Sequence, residues 1–142
     1  MLVSQILKTK GDLVFTAAPG ETVAAVAALL NGRRVGALVV LEAEAVAGIF
    51  SERDLVRALA DDGPGALSTP ISRYMTRDVL FAEPGETVES LLSRMTDRRI
   101  RHLPVVRGGR LVGLVSIGDL VKAKISEVEA EADGLKAYIA TG

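Results

Sequence analysis

The chain repeats itself, and that repetition limits what its 142 residues can fold into more than any other feature. Shifted by 65 positions, Val14 to Val56 falls on Val79 to Val121 without a gap. Pro19-Gly20-Glu21-Thr22-Val23 then matches Pro84-Gly85-Glu86-Thr87-Val88, Arg33-Arg34 matches Arg98-Arg99, and Asp54-Leu55-Val56 matches Asp119-Leu120-Val121. Roughly sixteen of the forty-three aligned positions are identical. A single register held this long implies one supersecondary unit used twice.

Each copy shows the same order of elements. A short strand, Leu13 to Ala17 or Val79 to Ala82, is broken by Pro-Gly, because Pro cannot donate to a ladder and Gly permits a tight turn. Thr22 and Thr87 are suited to cap the helices that follow. Val88, Leu91, Leu92 and Met95 recur at helical spacing and predict an amphipathic helix over Val88 to Asp97. Its counterpart, Val23 to Asn31, is apolar on nearly all sides and is expected to be buried on more than one face. The paired arginines that follow are candidates to cap the helix C-termini.

Two β runs come next in each copy, Val35 to Leu41 with Val46 to Phe50, and Leu103 to Val106 with Arg110 to Val115. Gly108-Gly109 between such runs predicts an antiparallel hairpin. A closing helix follows, over Glu52 to Leu59 and from Gly118 to about Glu131. The reading is an α/β (α+β) chain of two pseudo-symmetric strand-helix-strand-strand-helix repeats. A copy of about 45 residues is too short to sustain a core alone, so the two are expected to pack sheet to sheet, with equivalent clefts where they meet. The expected division is residues 1–62 for the first repeat, 63–76 for a linker, 77–125 for the second repeat and 126–142 for a helical tail. Ile71, Tyr74 and Met75 lead into the second copy, and Ile6 and Leu7 stand ahead of the first. The tail carries an uneven apolar stripe, Val121, Ile125, Val128, Leu135 and Tyr138, that could cover the body or another subunit.

Composition narrows the function classes. The chain has no Cys, which excludes disulfides, thiolate metal sites and cysteine nucleophiles. Its formal charge of −1 and few aromatics give no footprint for nucleic acid. With no signal-peptide pattern and no apolar run near the roughly 18 residues a bilayer requires, a cytoplasmic protein is expected. There is no P-loop, nucleophile elbow or zinc helix, so the chain is not read as an enzyme. One histidine without cysteines makes no transition-metal site.

The stretch with most chemical content also occurs twice: Gly48-Ile49-Phe50-Ser51-Glu52-Arg53-Asp54 and Gly113-Leu114-Val115-Ser116-Ile117-Gly118-Asp119. Each places Ser and Asp three apart where a strand turns into a helix. Taken alone, the pair reads as a helix cap. Equally, a helix start offers free N–H groups and a positive dipole end to a phosphate, and a carboxylate one turn on can accept from two ribose hydroxyls.

The tandem pattern resembles the CBS domain, named for cystathionine β-synthase, present as a pair, the Bateman module. The resemblance rests on the strand, the Pro-Gly-Glu-Thr-Val helix start, Ile100-Arg101-His102-Leu103-Pro104-Val105-Val106 and the closing Gly-x-x-Ser-x-x-Asp, and covers about Met1 to Ile125. It implies a regulatory, non-catalytic module, commonly a homodimer, that binds adenosine-containing ligands such as AMP, ADP, ATP, NAD or S-adenosylmethionine and signals to a partner protein. It implies that Asp54 and Asp119 hold ribose while Ser51 and Ser116 meet phosphate. Thr16, Gly36, Ala37, Phe81, Ile100 and Pro104 fall where the adenine slot would lie, and Arg53, Arg101 and His102 are polar candidates beside the phosphates. Gly36-Ala37 stands where the second copy has Arg101-His102, so the two sites are expected to differ. A scaffold whose clefts stay empty is the alternative.

Overall fold

The computed structural model describes all residues except Asp12 and Gly142. In order, the elements are α1 (Val3–Lys10), β1 (Thr16–Ala17), α2 (Val23–Arg33), β2 (Ala37–Glu42), β3 (Ala45–Ser51), α3 (Glu52–Asp62), two short 3₁₀ segments (Gly63–Ser68 and Ile71–Arg73), α4 (Val88–Arg98), β4 (His102–Arg107), β5 (Arg110–Ser116) and α5 (Ile117–Thr141). The fold is mixed α and β with two sheets, one ordered β1-β2-β3 and the other β4-β5. Among the described residues no helix is long and apolar enough to cross a membrane.

The repeat register survives in the structure, but the chain is divided in an unexpected way. It forms two compact units, one of Leu13–Leu80 and one of Met1–Asp12 with Phe81–Gly142. The segment ahead of each copy therefore folds with the other copy. Ile71 and Ser72 N–H donate to the carbonyls of Glu21 and Pro19, and Val23 N–H donates to Thr69 O. The matching bonds in the other unit run from Val3 and Ser4 N–H to Glu86 and Pro84 O, and from Val88 N–H to Met1 O. Ile71 and Met75 accordingly lie in one core with Val23, Val26, Leu30, Leu38, Val40 and Phe50, and Tyr74 packs against it. The order along the chain suggested the opposite assignment for these residues and for Ile6 and Leu7.

Both helices after the Thr caps form as expected: Thr22 Oγ1 accepts from Ala25 N–H at 3.2 Å and Thr87 Oγ1 from Ser90 N–H at 3.1 Å. Both end at the second arginine of the pair, Arg34 and Arg99, in the left-handed region at φ 53° and 54°. The cap is made by the arginine backbone N–H, to Asn31 and Thr96 carbonyls, and not by its charge. Arg33 instead lies over the Phe15 ring, 5.1 Å from its centre. Helix α2 is buried on one stripe only, Val23, Val26 and Leu30; Ala24, Ala25 and Ala28 are exposed, since a methyl group gains little from a second buried face.

The first strand of each copy is shorter than its apolar run. In the first copy only Thr16 and Ala17 pair, parallel to Val39 and Val40, and Leu13 is exposed. In the second, Ala82 alone bridges to Val105. Proline explains the difference between copies. Val39 N–H donates to Phe15 O at 3.2 Å, and its counterpart Pro104 has no N–H to give. What remains is Ala82 N–H to Pro104 O and Val106 N–H to Ala82 O, both 2.9 Å.

Each hairpin is antiparallel and closes through two residues at positive φ: Gly108 and Gly109 in one, Ala43 and Glu44 in the other. Glycine accepts that conformation freely; Ala43 at φ 50° and Glu44 at φ 66° do not. Replacing Ala43-Glu44 by Asn-Gly is expected to stabilise the protein by about 1 kcal/mol, read as a higher midpoint in urea.

Gly48 and Gly113 are equivalent positions where the exchanged segments press close. A Cβ on Gly48 would sit 2.6 Å from the Thr76 carbonyl oxygen, whereas one on Gly113 would meet the Leu7 side chain at 2.5 Å. Backbone cannot yield as a leucine tip can. Gly48→Ala is expected to cost about 2–3 kcal/mol and Gly113→Ala about 1 kcal/mol, compared by chemical denaturation.

Candidate functional site

In the Leu13–Leu80 unit, strand pairing sets Ala37 opposite Ser51, and Gly36 O accepts from Glu52 N–H at 3.0 Å. The start of β2 and the β3–α3 junction thus lie side by side. Ser51 is still extended (φ −117°, ψ 168°), and α3 begins immediately after it. Ser51 Oγ accepts from Asp54 N–H at 3.3 Å while Ser51 N–H donates to Asp54 Oδ2 at 2.9 Å, a reciprocal cap that satisfies two donors at the helix start. Thr76 Oγ1 donates to Asp54 Oδ1 at 3.2 Å, and Arg57 Nη2 stands 3.7 Å from the same oxygen. Asp54 is 2% exposed, the one buried charged residue described. Burying a carboxylate is tolerated only with such a set of donors.

The other unit builds the same junction with different neighbours. His102 lies opposite Ser116, and Arg101 O accepts from Ile117 N–H at 2.8 Å. Ser116 N–H donates to Asp119 Oδ2 at 2.8 Å and Asp119 N–H to Ser116 Oγ at 3.1 Å. The Lys10 ammonium, in the last turn of α1, donates to Asp119 Oδ2 at 2.6 Å and to Leu114 O at 2.8 Å. The Asp119 side chain keeps 26% of its surface exposed. Burial pushes its carboxyl up, but the hydrogen bond from Lys10, that from the Ser116 N–H and the Lys10 charge outweigh it, and the group titrates below its ordinary 3.8.

The structure therefore gathers Gly36, Ala37, Ser51 and Asp54 at one helix start, and Arg101, His102, Ser116 and Asp119 at the other. Gly36 is half-buried, Ala37 is buried, and Arg53 and Arg101 are exposed. Thr16 is exposed on β1 opposite Val39, one strand over and two positions along from Ala37. Half-buried Ile100 donates its N–H to Met95 O as the chain leaves α4, and Pro104 is buried two positions into β4. Phe81 is 38% exposed, and its carbonyl accepts from Arg94 Nη2 at 2.8 Å. Three groups at these junctions had no sequence signal: Lys10, Arg57 and Thr76. Lys10 reaches across 109 positions of chain and Thr76 across 22, and neither belongs to the aligned part of the repeat.

Comparison with known proteins shows the family to which the chain belongs. Residues 6–61 and 71–126 each match the CBS domain family, and the chain belongs to it as a tandem pair. It is 35% identical to the mitochondrial CBS domain-containing protein CBSX3 of Arabidopsis thaliana, over 99% of this chain and 72% of that one. It is 31% identical to the CBS domain-containing protein YhcV of Bacillus subtilis, over 90% and 91%. A CBS-domain containing protein from Agrobacterium tumefaciens superposes with a TM-score of 0.85 at 41% identity, covering 87% of this chain and 99% of that one. The CBS domain pair of protein MJ0100, solved in complex with 5-methylthioadenosine and S-adenosyl-L-methionine, superposes at 0.80 with 26% identity, over 89% and 98%.

The lowered Asp119 value has a sign that can be tested. The folded form holds the carboxylate charged to lower pH than the unfolded chain does. Its contribution to stability is present above the unfolded value and is lost as pH falls through the folded one. On acidification below about pH 4 the melting temperature of the native protein should drop more steeply than that of Asp119→Asn.

Proposed function

We propose that this chain is a regulatory module that binds an adenine nucleotide (AMP, ADP, ATP or NAD) at its two Ser-x-x-Asp helix starts and passes its occupancy to a partner protein, working as a homodimer in the cytoplasm. The observation that carries this is the pair of helix starts, each with a hydroxyl, a fixed carboxylate and the leading edge of a strand in one place. A helix start suits a phosphate, and an Asp carboxylate suits vicinal ribose hydroxyls. The adenosine-derived ligands of the MJ0100 pair support the same ligand class. In this reading Ser51 and Ser116 face phosphate and Asp54 and Asp119 face ribose. Thr16, Gly36, Ala37, Phe81, Ile100 and Pro104 lie toward the base, and Arg53, Arg101 and His102 lie toward the charged end. The role is binding and not catalysis.

A second reading, a ligand-free scaffold, draws on one observation: Ser and Asp already satisfy one another as caps. Thermal shift separates the two, because a ligand that binds only the native state stabilises it by about 2.7 kcal/mol at a hundred times its Kd. A rise with at least one of AMP, ADP, ATP or NAD is expected. No shift with any of them at millimolar concentration would favour the scaffold.

The two sites should also bind unequally. The Asp119 site carries Arg101 and Lys10 where the Asp54 site has Gly36 and Thr76. By titration calorimetry, Asp119→Ala should remove the tighter event for a phosphorylated nucleotide, weakening it about tenfold or more, and Asp54→Ala the weaker. Equal losses from both variants would show that the sites do not differ.

A further inference from the structure

We infer that the C-terminal half of α5 is a dimerisation helix that pairs in parallel with the same helix of a second copy of this chain. This inference deepens the homodimer of the proposed function and does not depend on which ligand the helix starts take. Along α5, Val121, Ile125, Val128, Ala132, Leu135 and Ile139 follow one another at alternating steps of four and three, the spacing of a two-stranded coiled-coil seam. The stripe is uncovered: Ile125 is 54% exposed, Val128 50%, Leu135 61% and Ile139 68%. It lies about 100° around the helix from Leu120, the buried residue that seats α5 on its own unit. From Val128 to Thr141 every residue is exposed, and an isolated helix of that length is marginal in water. A partner on the seam would supply the missing burial.

Charge selects both the occupant and the direction. With Val121, Val128 and Leu135 at d and Ile125, Ala132 and Ile139 at a, the flanking e positions are Lys122, Glu129 and Lys136, and the g positions are Lys124, Glu131 and Tyr138. In a parallel pair each g residue faces the e residue five positions on in the other helix. Lys124 then meets Glu129 and Glu131 meets Lys136, on both sides of the seam. An antiparallel pair centred on this seam would oppose Glu129 to Glu129, Glu131 to Glu131 and Lys122 to Lys136, all like charges. The pattern is self-complementary only in parallel. Ile139 at a beside Leu135 at d is also the combination that favours two strands, while Val121 and Val128 hold the other two d positions. Lys124 is shared with Glu89, to which it donates at 2.9 Å, so Glu131 and Lys136 are the cleaner pair to test.

The test uses the whole chain. By sedimentation velocity the native protein should run as a dimer, and Val128→Asp with Leu135→Asp should make it a monomer; both positions are exposed, so the fold of the unit is not at stake. Glu131→Lys should raise the dimer dissociation constant about tenfold, and adding Lys136→Glu should restore it. The chain has no Cys, so single cysteines report geometry cleanly. Val128→Cys should oxidise to a covalent dimer, while Ala130→Cys, on the opposite side of the helix, should not. A monomeric native protein, a dimer indifferent to the aspartates, a charge swap without rescue, or no cross-link through Val128→Cys would each overturn the inference.

Discussion

Everything in this chain depends on where the residues ahead of each copy make their backbone hydrogen bonds. A copy of about 45 residues has too much surface for its volume to hold itself together. Each unit completes its core with a segment from before the other copy, and three bonds to the Pro-Gly-Glu-Thr-Val turn and the helix start after it fix that segment in place. Ile71 and Met75 are buried in one unit, and Val3 and Ile6 in the other. The Met1–Asp12 segment is therefore part of a unit whose remainder begins at Phe81. The exchange also delivers the groups that distinguish the two sites, since Thr76 and Lys10 both sit on or next to exchanged segments.

One repeated pattern gives two chemically different helix starts. In the Leu13–Leu80 unit the incoming chain leaves its 3₁₀ turn and bridges Ile49 through Thr76, so a short hydroxyl reaches Asp54 in a buried setting. In the other unit the incoming chain stays helical to Lys10, and a long cationic side chain reaches Asp119 from a half-exposed position. A buried neutral donor and a partly solvated ammonium place different demands on any ligand, since an ammonium must be displaced or shared and carries its own attraction for phosphate. Pro104 in place of Val39 adds a second asymmetry, because it removes the donor that would extend the first strand of that copy.

Most of the fold was legible in the sequence because it is local. Hydrophobic spacing set the helices, Thr22 and Thr87 capped them where their side chains suggested, and Gly108-Gly109 announced its hairpin. Ala43-Glu44 gave no such signal, because those residues close their turn against their own preference and only the repeat register pointed to it. No local pattern says which of two similar copies the segment ahead of a copy will join, so the placement of Ile6, Leu7, Ile71, Tyr74 and Met75 is visible only in the fold. The extent of the first strands was overestimated for a related reason. An apolar run says a strand is possible, whereas its pairing depends on donors in a distant strand. At the helix starts, the pairing of Ser51 with Asp54 and of Ser116 with Asp119 is legible from the repeated spacing, while Lys10, Arg57 and Thr76 arrive from outside the motif and carry no pattern of their own.

The Ser-x-x-Asp spacing leaves open both a cap and a ligand site, and the two are compatible. In both units the carboxylate uses one oxygen, Oδ2, for the N–H of the serine. That bond orients the carboxylate before any ligand arrives, and the serine hydroxyl is fixed by the N–H of the aspartate. A side chain held in this way loses less freedom on binding than one free to rotate. Under the proposed function, the cap would be the device that prepares the site. The same carboxylates already accept a further hydrogen bond, from Thr76 in one unit and from Lys10 in the other. Under the proposed function, the exchanged segments, and not the repeated motif itself, are for that reason where the two sites would differ in affinity.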